Sequence, residues 1–137
     1  MIEGKKRKSG IPTGNAGEYL VMGELLRRGF DAQLADRNTK GYDLLVGRPG
    51  EPKLRKVQVK TVRAAPWYVK LNVFMGSGLS MTTVYVLLGR EDARRPVRYF
   101  IVKNRRLTKD VHRVPGWQIN GFMNLKPIEP FEDRWEF

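Results

Sequence analysis

Hydrophobic and polar positions divide this chain into one helix-like segment followed by a series of short strand-like runs. Thr13 or Asn15 can cap a helix running to about Arg28, with Gly29 ending it. On a helical wheel Tyr19, Met22, Leu25 and Leu26 form one apolar arc, and Glu24, Arg27 and Arg28 lie outside it. Glu18 falls inside that arc. A carboxylate there needs a partner or a task, unless it is an early-turn Glu favoured by the helix dipole and left partly solvated.

Strand signals follow. Phe30 to Ala35 is a short strand, and Asp36 to Lys40 a polar turn. Gly41 to Gly47 and Arg55 to Thr61 are two β-branched and aliphatic runs whose connection, Arg48 to Leu54, suits an antiparallel hairpin. Trp67 to Phe74 alternates as a strand does, Thr83 to Leu88 is apolar enough to be central, and Val97 to Val102 follows a turn at Arg90 to Pro96. Asn104 to about His112 is polar and moderately helical, and Pro115-Gly116 breaks it. The aromatics of the last segment, Trp117, Phe122, Phe131, Trp135 and Phe137, more often close a core than stack on bases, although exposed ones can do the latter.

The polar interruptions of the hairpin carry the most chemistry. Asp43 sits inside the first run, and Gln58 and Lys60 are two apart in the second, where strand periodicity puts them on one face. A carboxylate, an amide oxygen and an ammonium then converge between paired strands, which is costly unless they pair with one another, a metal or a ligand. Taken singly, Lys60 reads equally as an edge lysine that discourages aggregation, and Asp43 as a turn carboxylate bonded to backbone amides.

Composition narrows the partner. The 137 residues make one domain, spanning 1–137, with residues 1–12 a basic arm built around Lys5, Lys6, Arg7 and Lys8. Lys and Arg total 26 against 14 acidic residues, a formal charge of +12, which favours an anionic partner such as nucleic acid. Lys40, Arg63, Arg105 and Arg106 join the arm as candidate phosphate contacts. With no Cys and one His, any metal must be held mainly by oxygen, which points to magnesium or manganese. No run is long enough to span a membrane and the start lacks a signal-peptide core, so a cytoplasmic location is expected.

Glu18 on a helix, Gly41-Tyr42-Asp43 on a strand and Gln58-Val59-Lys60-Thr61 on the next resemble the PD-(D/E)XK nuclease superfamily, which includes restriction endonucleases and Holliday junction resolvases. The resemblance implies an α/β restriction endonuclease-like fold, a mixed central sheet flanked by helices. It implies Glu18, Asp43 and Gln58 as ligands of Mg2+ or Mn2+, with Lys60 assisting the attacking water. Gln58 stands where an acid is usual, and Met75 to Met81 is too short for the second helix the superfamily core commonly has. The function implied is a metal-dependent deoxyribonuclease, an endonuclease acting on branched or otherwise structured DNA. A symmetric homodimer is the simplest way to cut two strands. The competing readings are a non-catalytic nucleic-acid-binding module that keeps the nuclease fold, favoured by the neutral Gln58, and a basic structural protein of a ribonucleoprotein.

Overall fold

The structure, a computed structural model, describes residues 11–36, 38–39 and 41–137. The only α-helix among them, α1 (Ile11–Arg27), starts earlier than its sequence signals indicate. Ile11 and Pro12, expected in the basic arm, open it, so Thr13 and Asn15 lie within the helix and do not cap it. Its end matches expectation. Gly29 has φ +89, Phe30 N–H donates to Leu25 O at 3.0 Å and Gly29 N–H to Leu26 O at 3.1 Å. Those two bonds form a Schellman cap, which needs the left-handed backbone that glycine adopts without penalty.

Five strands make a mixed sheet in the order β1 (Asp31–Leu34), β2 (Leu44–Gly47), β3 (Arg55–Val62), β5 (Thr82–Leu87), β6 (Arg98–Lys103). The β2–β3 pair is the expected antiparallel hairpin, with Leu44 opposite Val57. β3 runs parallel to β5, and β1 and β6 close the edges antiparallel. Between β3 and β5 the chain leaves the sheet to form β4 (Trp67–Lys70), which joins β8 (Asn120–Met123) and β7 (His112–Arg113) in a second, three-stranded sheet.

Each face of the large sheet has its own core. Val57 and Val59 of β3, with Leu44, Val46, Val84 and Val86, pack against Val21 and Leu25 of α1. Tyr85, Phe100 and Val102 pack on the opposite face against Trp67, Val69 and Met123 of the small sheet. Burying Val21 or Leu25 completely stabilises the fold by about 1.5–3 kcal/mol each. The large sheet is thus covered by a helix on one side and, on the other, by a small sheet and 3-10 turns where a second helix was not expected to fit.

Three expectations change, each for a tertiary reason. The buried arc of α1 runs through Gly17, Val21 and Leu25, whereas Tyr19 and Leu26 are 60% and 51% exposed. Gly17 sets this rotation, because the helix settles where a residue without Cβ meets Thr61 of β3. The run expected as one strand, Trp67 to Phe74, is strand only to Lys70, and Leu71–Phe74 forms a 3-10 turn. Val73 and Phe74 of that turn are both buried in the core shared with Trp67 and Val69. Finally, Asn104 to His112 holds one 3-10 turn, Asn104–Leu107, and no longer helix. Fully buried Asn104 is tied down there, accepting from Thr83 Oγ1 at 2.6 Å and donating to Gly78 O at 3.0 Å.

Candidate active site

The site forms where β2 begins and draws alongside β3. Asp43 lies one residue before β2, just outside the ladder. Its N–H donates to Val57 O at 2.9 Å, which keeps its backbone against β3. Its carboxylate turns onto β3, where Oδ2 accepts from Val59 N–H at 2.8 Å. Val59 is the residue between Gln58 and Lys60. Asp43 is therefore held against the backbone that carries both of the other hairpin candidates.

Gln58 and Lys60 alternate with core-facing Val57 and Val59 and so lie on the face away from α1, both half-buried. Burial pushes the Lys60 ammonium below its ordinary value; the negative charge of Asp43 acts against this, and the nearby Lys70 adds to it. Burial likewise raises the Asp43 carboxyl, partly offset by the Val59 N–H and then by Lys60. Both charged forms are thus strained by desolvation and partly supported by each other.

Glu18 approaches from α1. It shares with Asp43 a hollow of about 220 Å³, bordered by Tyr19, Ala35, Thr39 and Tyr42. Tyr19, displaced from the core by the rotation of α1, thus stands at the mouth of this hollow. Asp43 thus borders the hollow of Glu18 and is bonded to the backbone between Gln58 and Lys60, whose side chains lie on the sheet face away from α1. Two carboxylates and one amide oxygen, without thiolate or imidazole, are a donor set suited to a hard, oxygen-bound cation. Asp36 also borders the hollow, and among the described residues no group of three His, Cys, Asp or Glu side chains is clustered to hold a metal.

The candidate phosphate contacts fare differently. Lys5, Lys6, Arg7, Lys8 and Lys40 lie outside the described residues. Arg63 is exposed at the far end of β3, where it donates to Gly89 O at 3.1 Å. Arg105 and Arg106 follow β6, the edge strand on the side of the sheet away from β2. Arg105 donates to Leu79 O at 3.4 Å and Arg106 lies over the Phe131 ring. None of these three lines the hollow beside Asp43.

The structure instead exposes cations that the sequence reading passed over. A cleft of about 630 Å³ beside Tyr42 is lined by Lys53, Arg55, Lys56 and Lys103, with Ser77 and Ser80 opposite, and by no carboxylate. Lys56 lies over the Tyr42 ring at 5.1 Å. The signal was the density of cations from Lys53 to Lys56 in the hairpin connection, which composition alone does not distinguish from an ordinary solvated loop.

No family model matches the chain, and no curated protein matches it significantly. Solved structures do. Hjc, a Holliday junction resolvase from the archaeal hyperthermophile Archaeoglobus fulgidus, matches with a TM-score of 0.53 at 17% identity, over 87% of this chain and 88% of its own. I-Ssp6803I, a bacterial homing endonuclease, matches with a TM-score of 0.55 at 13% identity, over 93% of this chain and 90% of its own. The chain has the restriction endonuclease-like fold. In this restriction endonuclease-like frame the mixed sheet implied by the sequence resemblance is present, and no helix among the described residues is long and apolar enough to cross a membrane.

Proposed function

We propose that the protein is a divalent-metal-dependent deoxyribonuclease that cleaves phosphodiester bonds within DNA. The observation that carries this reading is the fixing of Asp43 Oδ2 on Val59 N–H, between Gln58 and Lys60, while Asp43 borders the hollow it shares with Glu18. The Hjc resolvase and the homing endonuclease that share its fold make DNA the natural substrate class. The +12 charge is in keeping with a polyanion.

In this reading Glu18, Asp43 and the Gln58 amide oxygen hold Mg2+ or Mn2+. When bound, such an ion polarises the phosphate and supplies an acidified water. The chain's own residues do the rest. The Val59 N–H keeps the Asp43 carboxylate oriented, which limits the reorganisation needed when charge develops. Lys60, half-buried and near Asp43, orients the nucleophile or stabilises charge on the reacting phosphate. The basic cleft at Lys53, Arg55, Lys56 and Lys103 offers phosphate contacts beside Tyr42.

Cleavage of branched, nicked and linear DNA with Mg2+, compared with chelator, tests the reading. Lys60→Ala should reduce cleavage by about a hundredfold or more. It should leave duplex binding largely intact, with a log–log salt slope of about −0.9 per phosphate neutralised. Parallel loss of binding and cleavage would make Lys60 a phosphate anchor. The second reading, a non-catalytic DNA-binding module, is favoured by one feature, the neutral Gln58. It would be upheld by duplex binding without metal-dependent cleavage of any of the three substrates.

A further inference from the structure

The aromatic residues that the sequence left between core and surface are separated by the structure. Of the three Trp residues, Trp67 and Trp135 are buried, while Trp117 is 44% exposed and Tyr68 is 61% exposed. Alternation along the small sheet explains the split. Trp67, Val69 and Met123 face the core, and the intervening residues face outward. Tyr68 is opposite Phe122, and Phe122 is opposite His112. The His112 ring is stacked on Phe122 with centroids 4.6 Å apart and planes at 6°. Trp117, from the loop between β7 and β8, leans on Tyr68 with centroids 6.1 Å apart. A row of four rings therefore crosses the outer face of a three-stranded sheet.

Cations stand beside this row. Lys70 and Asn120 form the next cross-strand pair. A hollow of about 380 Å³ is lined by Tyr68, Lys70, Trp117, Gln118, Asn120 and Lys60. It contains two lysines and no carboxylate, a setting that favours an anion. Exposed π faces with cations in the adjacent row suit a nucleobase and its phosphate. Bases inside a duplex have both faces covered by their neighbours, so only unstacked bases can use such a surface.

We propose that the outer face of β4–β8–β7 binds unstacked bases of single-stranded DNA, stacking them on Tyr68 and Trp117 with a phosphate at Lys70. Because Lys60 is among the residues that line the hollow, the bound strand lies next to the active site. That this strand belongs to the substrate rests on the nuclease reading above; the binding itself does not.

The test uses the full chain in chelator, where cleavage plays no part. Trp117 is the exposed Trp, so titration with a thymidine oligonucleotide should quench tryptophan emission, and Trp117→Ala should abolish the quench. Trp117→Ala and Tyr68→Ala should each lower the ratio of single-strand to duplex affinity about tenfold. Tyr68→Phe, which keeps the ring, should retain the ratio, and an oligonucleotide of abasic residues should bind as weakly as the Ala variants bind the normal strand. Circular dichroism melts confirm that the variants are folded. The proposal is overturned if the ratio is unchanged in both Ala variants, or if the abasic strand binds as tightly as the normal one. It is also overturned if Trp117→Ala dissociates a dimer in sedimentation without changing the ratio, which would make the patch a contact between copies of the chain. Single-strand binding in a protein that cleaves nothing with Mg2+ would uphold the platform and sink the nuclease reading.

Discussion

Asp43 Oδ2 accepts a hydrogen bond from Val59 N–H at 2.8 Å, joining the start of one strand to the residue between the two polar positions of the next. Burial nonetheless raises the Asp43 carboxyl above its ordinary value of 3.8. Metal must displace a proton from a carboxyl of this kind, so affinity for Mg2+ should decline on acidification at a higher pH than for a solvated aspartate. The stability linkage has a definite sign. With a raised folded value, the contribution of Asp43 is fully present below the unfolded value and is lost as pH rises through the folded one. In chelator, Asp43→Asn should therefore remove that slope and melt at or slightly above the parent at neutral pH, a gain limited by solvent screening and by the loss of the counter-charge to Lys60. A melting temperature below the parent at pH 7 would show that the ionised carboxylate is net stabilising.

Gln58 is where the enzyme reading is most exposed. Its amide oxygen brings no charge, so Gln58→Glu should tighten Mg2+ binding and preserve or raise cleavage. Gln58→Leu removes a donor and should weaken Mg2+ binding by about tenfold or more. Calorimetric titration and cleavage in the same preparations read both outcomes. Unaltered metal binding in both variants, with Asp43→Ala also silent, would leave a satisfied polar cluster and favour the binding module.

Gly17 sets how α1 rests on the sheet. A Cβ at this position would overlap the Thr61 side chain. Gly17→Ala should cost about 1–3 kcal/mol by overpacking and lower cleavage further by moving the adjacent Glu18. Adding Thr61→Gly makes room for the methyl group. Denaturant melts of both single variants and the double should reveal a favourable coupling of about 0.5–3 kcal/mol. Strict additivity would show that the helix does not seat on Thr61.

Arg98 and Glu132 form a two-pronged pair, with Nε at 2.9 Å and Nη2 at 2.8 Å from the two carboxylate oxygens. The Arg98 guanidinium holds the Glu132 carboxyl below its ordinary value of 4.5. The sign is opposite to that of Asp43: this stability is present above the unfolded value and is lost as pH falls through the folded one. Arg98→Lys loses the fork geometry and should cost at most about 1 kcal/mol, because both side chains are partly exposed. Melts between pH 3 and 7 should show the acid slope reduced in Arg98→Lys and reduced further in Glu132→Gln, with the part due to Glu24 remaining.

The sequence by itself determined the local features. The hairpin of β2 and β3, the central run at Thr83, the glycine that ends α1, and the shared face of Gln58 and Lys60 all follow from strand period, turn chemistry and backbone sterics. These act between neighbours in the chain and can be read there. Tertiary structure decided what depends on contact between distant segments. The rotation of α1 rests on the fit of Gly17 to Thr61, and a wheel that scores only apolar side chains counts a glycine as nothing. Asn104 is buried because Thr83 and Gly78, more than twenty residues earlier, satisfy its amide. Trp67 and Trp117 are the same residue type with opposite fates, because the pairing of β4 with β8 sets which face of the small sheet meets the core. The approach of Glu18 and Asp43 belongs to the same class: each was marked by its own local anomaly, but only packing of the helix over the sheet brings them to one hollow.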